Sequence, residues 1–390
     1  MPPRPIDATD TSVVESASAD ILLDVQDLTV DFPTDDGVVH AVRGVSYRLE
    51  PGQVLGIVGE SGSGKSVTSL AILGLLPRTA RLGGSVRFRG TELLGRSDHE
   101  LMKVRGDKIA MIFQDPMTSL NPVYSIGWQI VEALRAHHEV SRHDAAERTV
   151  ELLDLVGIPR PRERAANYPH EFSGGMRQRV VIALAMANNP DVIIADEPTT
   201  ALDVTVQAQI LETLKKAQQE THAAIVLITH DLGVVAGMAD RVLVMYAGRP
   251  VEIGNVDDVY YRPRMPYTIG LLGSLPRLDA TDQERLTPIA GSPPSLINLP
   301  AGCPFSPRCP MREQVCEREE PALRHTDGIE HQAACHFSGS LAAEDAVPGD
   351  LFAATSADVA EPMAVVEAAG GPSAVQPSVR RSRPGKGTTP

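Results

Sequence analysis

Residues 54–66 constrain the fold more than any other stretch of the chain. The apolar run Val54 to Val58 reads as a buried strand, and Gly59-Glu60-Ser61-Gly62-Ser63-Gly64-Lys65-Ser66 comes directly after it in the pattern G-x-x-x-x-G-K-[ST]. Glycines at this spacing let successive backbone N–H groups turn inward around phosphate oxygens. The helix after the loop aims its positive N-terminal end at the same point. Lys65 is then placed for the β- and γ-phosphates of a nucleotide, the Ser66 hydroxyl for Mg²⁺, and Val67 for the nucleotide beside them. A strand, a glycine-rich loop and a helix in that order belong to a parallel α/β sheet.

Such a loop serves kinases, GTPases and many ATPases, so the class has to come from residues further along the chain. Val192-Ile193-Ile194-Ala195-Asp196-Glu197 reads as a buried strand ending in two acids, where a parallel sheet places its chemistry. Asp196 is positioned to hold Mg²⁺ through water, and Glu197 to orient and polarise an attacking water. Taken alone, the pair could equally be a helix-entry cap. Upstream, Phe172-Ser173-Gly174-Gly175-Met176-Arg177-Gln178-Arg179 leads into an Ala/Val/Ile-rich helical stretch through Ala187, with Ser173 as its cap. A capped helix is commonplace; its pairing with a basic Gln/Arg tract and the acid strand is not.

This combination resembles the nucleotide-binding subunit of an ATP-binding cassette (ABC) transporter, over about Leu22 to Cys335. The resemblance implies a P-loop NTPase cassette: a RecA-like α/β core, an antiparallel β subdomain and an inserted α-helical subdomain. It implies that Gln114, in Ile112-Phe113-Gln114-Asp115-Pro116, is similar to the Q-loop glutamine that contacts Mg²⁺ and water and relays to the membrane subunits. Ala201-Leu202-Asp203 resembles the D-loop, and His230, in Ile228-Thr229-His230-Asp231, the switch histidine near the γ-phosphate. Phe32 is a candidate for stacking on adenine, although 33–40 reads as an insertion and a core phenylalanine fits as well. Singly, His230 could be a satisfied strand-end histidine and Gln114 a solvated turn residue; in this order and spacing they form a set. If Ser173, Gly174 and Gly175 lie far from Lys65 on one chain, as the family implies, two domains must meet head to tail with ATP between them.

Composition bears on the setting. The longest uninterrupted apolar run, Val180 to Ala187, is too short to span a bilayer, so the chain is expected to borrow its membrane from partners. No basic-then-apolar leader is evident at the start of the sequence, so the chain is expected to stay in the cytosol. A net charge of −14 argues against a broad nucleic-acid surface. Residues 1–20 read as a disordered arm, 21–254 as the cassette with its helical subdomain at about 116–172, 255–337 as a C-terminal extension, and 338–390 as a disordered tail. The tail's basic end, Val379-Arg380-Arg381-Ser382-Arg383, is either solvated or a weak contact for anionic lipid.

All four cysteines, Cys303, Cys309, Cys316 and Cys335, fall in the extension with spacing C-x5-C-x6-C-x18-C. A reducing cytosol disfavours disulfides, and the close C-x2-4-C pair of most zinc sites is missing. Spacing leaves an iron–sulfur cluster, zinc or plain reduced thiols open. Pro266-Tyr267-Thr268, Gly291-Ser292-Pro293-Pro294 and the blocks around Cys303 and Cys309 look like the C-terminal extension of oligopeptide and dipeptide importer ATPases. That resemblance implies a [4Fe-4S] cluster on the four cysteines. It also implies a second, paralogous ATPase subunit, two membrane permeases and, indirectly, an extracytoplasmic substrate-binding protein, with the chain on the cytoplasmic face of the membrane. Importers of nickel or other small solutes are the alternative within transport. A soluble ABC ATPase of translation or DNA repair usually carries two cassettes or a long coiled coil, and neither is present here.

Overall fold

The computed structural model describes residues 21–200, 202–274, 289–326 and 330–342. The expected arm at 1–20 and nearly all of the expected tail lie outside the described residues, as does Ala201 of the D-loop stretch.

The strands are β1 (Leu23–Thr34), β2 (Gly37–Leu49), β3 (Val54–Val58), β4 (Arg81–Phe88), β5 (Thr91–Glu92), β6 (Ile109–Ile112), β7 (Val192–Asp196), β8 (Ala224–Thr229), β9 (Arg241–Tyr246), β10 (Arg249–Asn255), β11 (Arg324–His325) and β12 (Gln332–Ala333). They form a four-stranded sheet in the order β2-β1-β4-β5 and an eight-stranded sheet in the order β11-β12-β10-β9-β3-β8-β7-β6. The small sheet is antiparallel throughout. In the large one, β9, β3, β8, β7 and β6 run parallel.

Every residue of β3, β7 and β8 is buried, which is why these strands are uninterrupted apolar runs in the sequence. Alternate residues face two different cores. Leu55, Ile57, Ile194, Val226 and Leu243 pack toward the small sheet. Val54, Val58, Ile193, Ala195 and Leu227 pack with helical residues on the other face.

Helix α1 (Lys65–Ile72) starts directly from the glycine loop, and α2 (Asp98–Leu101) precedes β6. Between β6 and β7 the chain is helical: α3 (Pro116–Ser119), α4 (Ile126–His137), α5 (Arg142–Leu155), α6 (Pro161–Arg164) and α7 (Gly174–Met186). Ser141 caps α5 by accepting the Asp144 N–H. Helices α8 (Val204–Thr221) and α9 (Leu232–Ala236) flank β8. Among the described residues no helix is long and apolar enough to cross a membrane.

Two features add to the sequence reading. Residues 33–40, read as an insertion, are the tip of a hairpin: Phe32 pairs with Val39 and Pro33 with Val38 around the turn Thr34-Asp35-Asp36-Gly37. The Asp-Gly pair is the turn signal, and Gly37 takes φ 133°, a value that side chains disfavour. The C-terminal segment is also more than an appendage. After α10 (Val256–Tyr261), α11 (Pro266–Gly273) and α12 (Gln314–Arg318), β12 pairs with β10, Glu252 opposite Ala333, and so joins the central sheet. Glu252, fully buried there, accepts from the Arg264 N–H at 2.6 Å and meets His331 Nε2 at 2.8 Å.

Candidate nucleotide site

The loop's shape depends on residues with no side chain. Gly59 has φ 151° and Gly64 φ 99°; a Cβ at the first would overlap the Met245 carbonyl oxygen, and at the second that of Ala41. The loop therefore closes against β9 and β2 as well as on itself. Lys65, nearly buried, donates to the carbonyls of Gly59 at 2.8 Å and Glu60 at 2.9 Å. Burial lowers its pKa, and the charges of Glu197, Asp196 and Glu60 oppose that shift. Ser66 Oγ donates to Asp196 Oδ1 at 2.9 Å. Burial raises the Asp196 pKa and Glu197 adds to it, against the Ser66 hydrogen bond and Lys65.

Glu197 comes directly after the last residue of β7 with φ 46°, a left-handed conformation that costs a non-glycine residue energy. Its N–H donates to the Ile228 carbonyl at 2.8 Å, which ties the turn to β8. The carboxylate accepts from Gln114 Nε2 at 3.0 Å and Thr200 Oγ1 at 2.8 Å, and His230 Nδ1 lies 3.5 Å away. Gln114, Glu197 and His230 therefore converge from the ends of three neighbouring strands, β6, β7 and β8. Sequence reasoning misses Thr200; its place three residues after Glu197 is the available signal.

A cavity of about 810 Å³ opens over this constellation. It is lined by Phe32, Gly59, Glu60, Ser61, Gly62, Gly64, Lys65, Ser66, Val67, Gln114, Glu197 and His230, all expected from the sequence. Val39, Ala41, Leu271 and Leu296 complete the lining and are not marked by any motif. The last two come from the C-terminal extension, and the Leu296 carbonyl accepts the His40 N–H at 3.1 Å. Ser63 is buried in the loop and does not line the cavity.

The signature residues are elsewhere. Ser173 caps α7 by accepting the Met176 N–H at 3.3 Å, and neither it nor Gly174 is buried or lines the cavity. Gly175 sits so close to Val206 on α8 that a Cβ would come within 2.6 Å of its methyl group. Asp203 caps α8 through the Val206 N–H at 2.9 Å, so the described part of the D-loop stretch and the signature share one neighbourhood.

The four cysteines are free thiols, and all four line one small cavity together with Met265, Phe305 and Phe337. Burial raises the Cys303 thiol and pushes Cys309 up to about 12 and Cys335 up to about 11. Among the described residues, no three His, Cys, Asp or Glu side chains are grouped closely enough to hold a single metal ion.

A parallel sheet carrying a phosphate loop, with acid, glutamine and histidine gathered at its strand ends, defines a P-loop NTPase of the cassette type. Residues 42–200 match the family described as ABC transporter, and residues 251–316 match the C-terminal region of oligopeptide/dipeptide transporters. The chain is 54% identical to the oligopeptide transport ATP-binding protein OppD of Escherichia coli, over 81% of this chain and 96% of that protein. It is 58% identical to OppD of Mycobacterium tuberculosis, over 80% of this chain but only about half, 51%, of that longer protein. The fold matches the dimeric structure of the ATP-binding cassette MJ0796 bound to ADP and Pi, with TM-score 0.55 and 29% identity, over 60% of this chain and 99% of that one. The chain belongs to the oligopeptide/dipeptide branch of the ABC transporter ATP-binding family.

Proposed function

We propose that the chain hydrolyses ATP to energise import of oligopeptides or dipeptides. What carries this reading is the convergence of Lys65, Ser66, Gln114, Glu197 and His230 on one nucleotide-sized cavity, in a chain whose relatives are named for peptide transport. Glu197 acts as the base that polarises water, His230 senses the γ-phosphate, and Phe32 stacks on adenine. Ser66, Asp196 and Gln114 would hold Mg²⁺, which supplies charge neutralisation on the phosphates. Gln114 hydrogen-bonds Glu197 and sits two residues before α3, so a change at the acid passes directly into the helical subdomain.

Since Ser173, Gly174 and Gly175 stand outside the cavity, a second cassette, a paralogue or a copy, supplies them across an ATP-bridged interface. Two permease subunits and an extracytoplasmic substrate-binding protein complete the importer, with this chain on the cytoplasmic face. The domains are then the cassette at 21–254, with its helical subdomain at about 116–172, and the extension at 255–337. A [4Fe-4S] cluster on Cys303, Cys309, Cys316 and Cys335 is supported by the four free thiols lining one cavity. Held there, it would serve a structural or a redox-sensing duty.

Deleting the gene should abolish growth on a peptide as sole source of a required amino acid, and restoring it should recover uptake. Unchanged peptide uptake with lost nickel uptake would overturn the substrate class. Anaerobically purified chain should be brown with about four irons, lost in Cys309→Ser; colourless protein with stoichiometric zinc would reject the cluster.

A further inference from the structure

Residue 60, the second of the phosphate loop, is held at three points, and two of the holders come from the extension. Its carboxylate accepts from Arg308 Nη1 at 2.9 Å. Its N–H donates to the Tyr267 hydroxyl at 2.9 Å, and its carbonyl accepts from Lys65 at 2.9 Å. Arg308 also donates to Tyr246 Oη at 3.3 Å and to the Ala290 carbonyl at 3.0 Å, and its side chain is only 6% exposed. The guanidinium lies 5.9 Å from the centre of the Tyr246 ring and 6.0 Å from that of Phe305. Phe305 is packed edge-on to both Tyr246 and Tyr267, and it lines the small cavity with the cysteines. Phe305 thus links the cysteine cavity to the two tyrosines beside the phosphate loop, and Arg308, next to Cys309 in the chain, lies against Phe305 and Tyr246 and reaches Glu60.

A carboxylate at the mouth of a site for a polyanion repels its ligand unless its charge is met. Glu60 lines the nucleotide cavity, and Arg308 meets that charge. We propose that Arg308 is a positioning residue for ATP binding: it neutralises Glu60 and, with Tyr267, fixes the entry of the loop. ATP affinity thereby depends on the extension keeping its shape around Cys309. This rests on the reading of residues 59–66 as the ATP phosphate loop.

The test measures KM and kcat for MgATP with the full chain paired with its second cassette, and equilibrium ATP affinity with the full chain alone, for the wild type and its Arg308→Lys, Arg308→Gln, Glu60→Gln and doubly substituted Glu60→Gln/Arg308→Gln forms. Arg308→Gln should raise KM about tenfold while kcat stays within about twofold, and Arg308→Lys should recover most of the loss. The double substitution should bind ATP within about threefold of Glu60→Gln alone, because no uncompensated carboxylate remains. That recovery separates charge from folding: a collapsed extension would not be repaired by Glu60→Gln, so a double form as weak as Arg308→Gln would overturn the proposal. Arg308→Gln with wild-type KM would overturn it too. A wild-type chain that binds no MgATP would instead overturn the ATP reading beneath it.

Discussion

The N-terminus of α1 and the N-terminus of α7 are both suited to an anion, and they are built in opposite ways. Around α1 the cation is buried, the glycine loop is wedged against two strands, and a deep cavity opens above. At α7 the capping serine and the first glycine stand exposed, apart from the residues that line that cavity. Helix N-termini attract phosphate in either setting, but only the first has walls. Among the described residues nothing walls in the α7 end, which is the observation behind the proposal that a second cassette completes it, and Gly175 there allows close approach to Val206.

The two ends should therefore respond unequally to substitution. Glu197→Gln should cut turnover about a thousandfold while leaving ATP affinity near wild type, since it removes a base and keeps the hydrogen bonds to Gln114 and Thr200. Steady-state hydrolysis and ATP titration check this; wild-type turnover would remove Glu197 from the mechanism. At the exposed end, Ser173→Gly keeps most of the helix cap and should lower turnover about thirtyfold. ATP binding by the single chain should stay within about twofold, and weakened single-chain binding would erase the distinction between the two ends. The smallest effect should come from Phe32→Ala, about fivefold in ATP affinity from a lost aromatic stack; a GTP titration should show the same loss, because the stack does not read the base edge.

Legibility tracks chain distance. Gly59 to Ser66 and Asp196-Glu197 are readable because each device is contiguous, and the apolar runs of β3, β7 and β8 announce their own burial. The hairpin tip at Asp36-Gly37 carries a turn signal that the reading of 33–40 as an insertion obscures. Contacts between distant residues leave no local trace. Nothing near Glu60 announces Arg308, 248 residues later, and nothing near His40 announces Leu296. Tyr267 and Leu271 lie on one short apolar helix whose Pro266-Tyr267-Thr268 block marks the extension without pointing to the nucleotide, although one touches the loop and the other lines the cavity.

The most direct measurement is turnover per chain under conditions where sedimentation shows only single chains, compared with the same chains paired with a second cassette. Hydrolysis should be near zero for single chains and rise in proportion to the paired fraction. A constant rate per chain, independent of pairing, would show that this chain closes its own site and would contradict the account.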